Sequence, residues 1–211
     1  MDGDNSLNYT KLDRLCMMLS DLHNSGYHVL VVSSGSILLG SLKAGYKSAA
    51  AKLIEQQVTA AIGQAELIKM YQQYLGEYNQ VVAQVLLTHD VIRKDIRRQN
   101  ATNTLNKLLE LNIIPIVNEN DVVSTEDIAL EDNYPLALQV AQLVNADIIL
   151  VKEKNNGDYL VIPKHSGLGY AVTENKLKEA LANFMGRQPD MAIGRAYPST
   201  VNELNEVKEY A

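Results

Sequence analysis

Ile113-Ile114-Pro115-Ile116-Val117-Asn118-Glu119-Asn120-Asp121 passes from branched apolar residues straight into four polar ones. The apolar half reads as a buried strand, because a strand covered on both faces needs no polar alternation. The polar half is then a loop at the strand's carboxyl end. Pro115 cannot donate to a ladder, so it argues for a strand end or an edge.

The same event recurs outward along the chain. His28-Val29-Leu30-Val31-Val32 runs into Ser33-Ser34-Gly35-Ser36. Val81 to Leu87 and Asp147 to Val151 are further short apolar runs. Between them the apolar spacing becomes helical. Leu12, Leu15, Cys16, Leu19 and Leu22 form one stripe, with Thr10 and Asp13 as a capping pair and Gly26 as a stop. Ile54, Val58, Ala61, Ile62, Ala65, Ile68 and Leu75 form a second, and Leu105, Leu108 and Leu109 a third. Pro135 suits the first position of a helix carrying Leu136, Val140, Leu143 and Val144, with Tyr134 as its extended N-cap. A last helix is expected near Lys176 to Phe184, and Met191-Ala192-Ile193 reads as a closing strand. Alternating strands and helices predict an α/β fold with a mainly parallel sheet covered on both faces. Such sheets bind ligands beyond the carboxyl ends of their strands. No internal repeat or linker divides residues 1–211, so one domain is expected.

Bulk composition narrows the function. Of 211 residues, 46% are hydrophobic and 21% charged, enough for a real core and too few charges for an expanded chain. The formal net charge of −6 gives no basic face for nucleic acid; Arg93-Lys94 and Arg97-Arg98 read as a solvated helix face. The amino terminus, Met1-Asp2-Gly3-Asp4, has no apolar signal region, and no run is long enough to span a membrane. Cys16, the one cysteine, lies on an apolar stripe and reads as core. These features point to a cytoplasmic protein without nucleic-acid or membrane partners. The four histidines lack metal-ligand spacing, so no metal site is assigned.

Candidate ligand residues gather in the polar loops. Ser34-Gly35 offers a hydroxyl and close backbone approach; a plain turn would use the same residues. Asn118, Asn120 and Asp121 place two amides and a carboxylate together. A carboxylate can pair with an ammonium and amides can donate to a carboxylate, so the set could grip both ends of an amino acid. An Asx-turn satisfying its own backbone is the equal alternative. Asp132-Asn133 could cap the Pro135 helix, which is the simpler reading. Ser166-Gly167-Leu168-Gly169, with Lys176 beyond, could meet phosphates, although a surface turn is commoner.

Taken together, these segments resemble the amino-acid kinase family, most of all its glutamate 5-kinase branch. The resemblance is carried by Val31 to Ser36, Gln56-Gln57, Ala60 to Gln64, Ala83 to Thr88 and, most specifically, Pro115 to Asp121. Asn145-Ala146-Asp147, Gly157-Asp158-Tyr159 and Ser166 to Gly169 follow in order. It covers most of residues 10 to 195. It implies a three-layer αβα sandwich and transfer of the ATP γ-phosphoryl to the side-chain carboxylate of L-glutamate, the first step of proline synthesis. Ser34 and Gly35, with Asn118, Asp121 and Asn133, would hold L-glutamate or a similar small amino acid. Gly167, Gly169 and Lys176 would meet the nucleotide, with ATP and magnesium as cofactors and a homo-oligomer as the assembly. Acetylglutamate, carbamate and uridylate kinases share the architecture, but the Asn118 to Asp121 motif argues against them.

Departures from the family pattern fall on the phosphoryl-transfer side. The family opens with a central strand and a Lys-x-Gly loop, whereas this sequence begins at the following helix and so resembles an N-terminally truncated, degenerate member. The family's Gly-Asp-Asn-Asp is Glu131-Asp132-Asn133-Tyr134, its Thr-Asp pair is Glu153-Lys154, and glycines of its later loop fall at Tyr170-Ala171-Val172. Lys176 is the only matched lysine, and the family's optional C-terminal RNA-associated domain is not expected. Phosphoryl transfer works by positioning and charge stabilisation, so these losses imply weak or absent activity. A non-catalytic paralogue that binds an amino acid or regulates a kinase partner is the alternative. A missing central strand also predicts unpaired strand edges that invite association or rearrangement, and hence self-association or poor stability.

Overall fold

A computed structural model describes residues 8–46, 52–88, 91, 95–123, 133–152, 159–164, 170–172, 176–177, 181 and 190–194. Helix α1 (Tyr9–Asn24) starts at Asn8, whose side chain accepts from the Lys11 amide at 2.9 Å, rather than at Thr10. It stops at Gly26, which takes the left-handed φ of 90° that glycine tolerates. Strand β1 (His28–Val32) follows, then α2 (Ser36–Lys43) and the long α3 (Leu53–Gly76). The chain continues through β2 (Val82–Leu87), α4 (Asp95–Glu110), β3 (Ile114–Glu119), a 3-10 turn (Asp121–Val123) and α5 (Tyr134–Leu143). Strands β4 (Ile148–Lys152), β5 (Tyr159–Pro163), β6 (Tyr170–Val172) and β7 (Asp190–Gly194) complete the order. Lys176, Leu177 and Leu181 are helical, in the region expected for the last helix.

The seven strands form one sheet in the order β2-β3-β1-β7-β4-β5-β6. All neighbours are parallel except β4–β5 and β5–β6, so the mainly parallel sheet is present. Successive residues of β1 face opposite layers. Val29 and Val31 join Leu15, Leu19, Leu22, Leu67, Tyr71 and Leu75 from α1 and α3. Leu30 and Val32 join Leu105 and Leu109 of α4 and Leu136 and Val140 of α5. Helices therefore cover both faces in an αβα sandwich, and burying each such leucine contributes about 1.5–3 kcal/mol.

Two expectations need correction. Pro115 does not put β3 at an edge, because β3 is paired by β2 on one side and β1 on the other. Proline is tolerated there because the β1 ladder begins one residue later, at Val31 opposite Ile116. The open edge expected beside β1 is also not seen. Strand β7 lies parallel between β1 and β4, with Val32 and Val151 both opposite Gly194.

Candidate functional site

The carboxyl ends of β1 and β3 lie side by side, and the Ser33 amide extends their ladder to the Val117 carbonyl at 2.8 Å. Beyond that point both strands pass into polar loops, Ser33 to Ser36 and Asn118 to Asp121, and the space these loops border is the candidate recess. The β1 chain turns through Gly35, whose φ of 97° suits glycine and which is the N-cap of α2. A helix beginning here has first-turn N–H groups without intrahelical partners, an environment that favours a negatively charged ligand group.

Three buried residues from distant parts of the sequence meet in the recess. Asn133 donates through Nδ2 to the Ser33 carbonyl and to Asn118 Oδ1, the second bond being 2.6 Å. Asn118 Oδ1 also accepts from the Glu119 amide at 2.9 Å. These bonds fix both side-chain orientations. Reversing Asn118 would set its NH2 against two donors, and reversing Asn133 would set its oxygen against the Ser33 carbonyl. Asn118 Nδ2 is therefore aimed away from the network, and it has no hydrogen-bond partner among the described residues. Asn118 is only 3% exposed, so its NH2 is a desolvated donor awaiting an acceptor.

Asp121 supplies the opposite charge preference. It is 6% exposed and accepts from Ser36 Oγ at 2.9 Å. Burial pushes its carboxyl up to about 6; the Ser36 hydroxyl pulls it down and the nearby Glu119 pushes it further up. A buried carboxylate with one neutral donor and an acidic neighbour is under-compensated, and a cation beside it would be stabilised.

Helix α3 frames these groups. Gly63 packs so tightly on α2 that a Cβ there would lie 1.7 Å from the Ser36 carbonyl oxygen. Gly40 is equally close to Thr59, with 1.7 Å to its carbonyl oxygen. One residue on, Gln64 donates to the Glu119 carbonyl at 3.1 Å. Two turns later the Tyr71 and Ser33 hydroxyls share a hydrogen bond of 3.1 Å.

Of the residues expected to bind an amino acid, Asn118 and Asn133 are hydrogen-bonded to each other, Asp121 bonds Ser36 of α2, and Ser34 and Gly35 sit half-buried in the β1–α2 loop. Asn133 is the N-cap residue of α5, but its side chain makes no capping bond, because its amide is spent on Ser33 and Asn118. Tyr134 is already helical rather than an extended cap. The Asx-turn alternative holds only in part: Asn118 Oδ1 does bind its neighbour's amide, while its NH2 does not turn inward. Asn120 contributes backbone, with its N–H on Leu87 and its carbonyl accepting from Val123. Lys176 is exposed, and Gly167 and Gly169 lie outside the described residues. Ser33, Ser36, Gln64 and Tyr71 were not expected in site roles. Buried polar residues on the apolar face of a long helix were the one signal that could have found the last two.

The amino acid kinase family model matches residues 2–157. This chain belongs to the amino-acid kinase family. It is 44% identical over 163 residues to the glutamate 5-kinase of Listeria innocua serovar 6a, covering 75% of this chain and 59% of that protein. The glutamate 5-kinase of Enterococcus faecalis is 43% identical over 156 residues, covering 72% and 58%. That of Clostridium tetani is 39% identical over 158 residues, covering 75% and 59%. The chain thus spans under two thirds of the length of these curated relatives. No described helix is long and apolar enough to cross a membrane.

Proposed function

We propose that this amino-acid kinase family member binds L-glutamate, or a closely similar small amino acid, in the recess between β1 and β3. The observation that carries the reading is the unpartnered, buried Asn118 Nδ2, with the under-compensated Asp121 carboxylate three residues on in the same loop. A zwitterion satisfies both, its carboxylate accepting from the amide and its ammonium pairing with Asp121. The similarity to glutamate 5-kinases selects glutamate among amino acids.

By family the reaction would be ATP-dependent transfer of a phosphoryl group to the glutamate side-chain carboxylate, giving an acyl phosphate and ADP in proline biosynthesis. ATP and magnesium would be its cofactors. Two described residues support a weakened phosphoryl-transfer half. Lys176 is exposed, and Tyr134 is buried against Val151 rather than offering a charge. We therefore assign this chain weak phosphoryl transfer at most. The packing of Tyr134 favours a second reading, a non-catalytic paralogue that binds an amino acid or regulates a kinase partner. A cytoplasmic homo-oligomer fits either role.

Thermal-shift measurements with L-glutamate, acetylglutamate, UMP and ATP test the proposal. Stabilisation by glutamate without ATP is expected. Stabilisation by UMP or acetylglutamate alone would overturn it. Robust glutamate-dependent ADP release, lost in Asn133→Ala, would overturn the assignment of weak transfer.

A further inference from the structure

Ser33 has all three of its polar groups engaged, and none of them faces the recess. Its N–H is on the Val117 carbonyl, its carbonyl accepts from Asn133 Nδ2, and its hydroxyl meets that of Tyr71. Ser33 is fully buried, and Tyr71 is 1% exposed within the α1–α3 core. We propose that Tyr71 is a positioning residue: through Ser33 its hydroxyl sets the geometry in which Asn133 and Asn118 present a donor to the bound amino acid. The inference rests on the reading of the recess as an amino-acid site.

The physical case is one of simultaneous demands. A single Asn133 nitrogen must reach both the Ser33 carbonyl and Asn118 Oδ1, and only that pairing keeps the Asn118 NH2 turned toward the ligand. The β1–α2 loop carrying Ser33 is held by backbone bonds on the β3 side. On the α3 side the Ser33 hydroxyl meets that of Tyr71. Hydrogen bonds weaken steeply with misalignment, so a loop free to shift by a few tenths of an ångström would satisfy one acceptor at the other's expense. Tyr71 lies seven residues, two helical turns, after Gln64, so both project from one face of α3. Gln64 pins the β3 side of the recess at the Glu119 carbonyl. One rigid helix thus holds both walls, and pre-organisation of this kind lowers the ordering cost of binding.

Tyr71→Phe, Ser33→Ala and the double variant test this on the full chain. In ligand-free protein, nuclear magnetic resonance should show the Asn133 side-chain amide protons exchanging several-fold faster in either single variant. The double variant should be no faster, and backbone amides of the core strands should be unchanged. Calorimetry with L-glutamate should show a Kd weakened roughly five- to tenfold in Tyr71→Phe, as expected for one buried hydrogen bond. The double variant should be no weaker than the singles, since both remove the same link. Unchanged Asn133 exchange overturns the proposal, as does faster exchange shared by the whole core. So does an unchanged Kd where the wild-type protein binds. Wild-type protein that fails to bind glutamate, with accelerated exchange in the variants, overturns the glutamate reading while supporting the positioning role.

Discussion

Asn133 Nδ2 lies 2.6 Å from Asn118 Oδ1, and this bond decides which end of Asn118 is left for a ligand. Replacing Asn133 by aspartate would place a carboxylate among the Ser33 carbonyl and Asn118 Oδ1, with no proton to share at neutral pH. Asn133→Asp should lower unfolding free energy by about 2–3 kcal/mol at pH 7. It should also weaken glutamate binding more than Asn133→Ala does. Urea denaturation midpoints and calorimetry check both outcomes.

Asp121 gives a pH dependence with a defined sign. Its carboxyl is raised from 3.8 to about 6 in the folded protein, so the folded state holds this proton more tightly than the unfolded state. The stability contributed by the protonated group is present below pH 3.8 and is lost as pH rises through about 6. Ligand-free protein should lose on the order of 3 kcal/mol from this group across that window. Asp121→Asn should remove the slope and raise stability at pH 7. Denaturation at a series of pH values measures it.

Glutamate binding should show the opposite trend at the same residue. An ammonium pairs with the carboxylate form, so affinity should weaken as pH falls below about 6. The loss should approach tenfold per pH unit, and binding near pH 6 should release a proton. Calorimetry in buffers of different ionisation enthalpy detects that proton.

Gly63→Ala and Gly40→Ala should be severe, because each new Cβ would fall 1.7 Å from a backbone carbonyl oxygen. Backbone cannot yield as a flexible side chain can, so a loss of ~3 kcal/mol or more is expected. Gly76→Ala, in α3 like Gly63 but with open space around it, should be tolerated. Melting temperatures of the three variants make the comparison.

Cys16 is fully buried, and burial, helped by Asp13, pushes its thiol up to about 12. The thiolate is the reactive form. Native protein should therefore resist disulfide-exchange reagents and react quickly only after unfolding, as a colorimetric thiol assay would show.

Much of this architecture was legible because local patterns carried it. β1 to β4 are short apolar runs, and α3 shows helical spacing, although Ile54, Val58 and Ile62 of the expected stripe are exposed and the buried face is Thr59, Ala60, Gly63, Leu67 and Tyr71. Strands β5 and β6 escaped notice because they are brief and antiparallel, and their flanks read as loop. The slot taken by β7 depends on pairing between residues some 160 positions apart, as in His28 with Asp190, which no local pattern encodes. The site divides in the same way. Asn118 and Asp121 were visible in one loop. Asn133 resembled a helix cap because its true partner, Ser33, is 100 residues away. Tyr71 fell at core spacing, and nothing in the sequence separates a tyrosine whose ring packs from one whose hydroxyl also holds a loop.

Strand β7 has a consequence for how the molecule is made. Among the described residues it is the strand that joins β2-β3-β1 to β4-β5-β6. During synthesis both trios of strands leave the ribosome before the segment that joins them. Pairing across this seam therefore waits for residues 190–194, which come after every other strand described. Long-range pairing of this kind forms slowly and leaves strand edges open to association until one five-residue segment closes the seam.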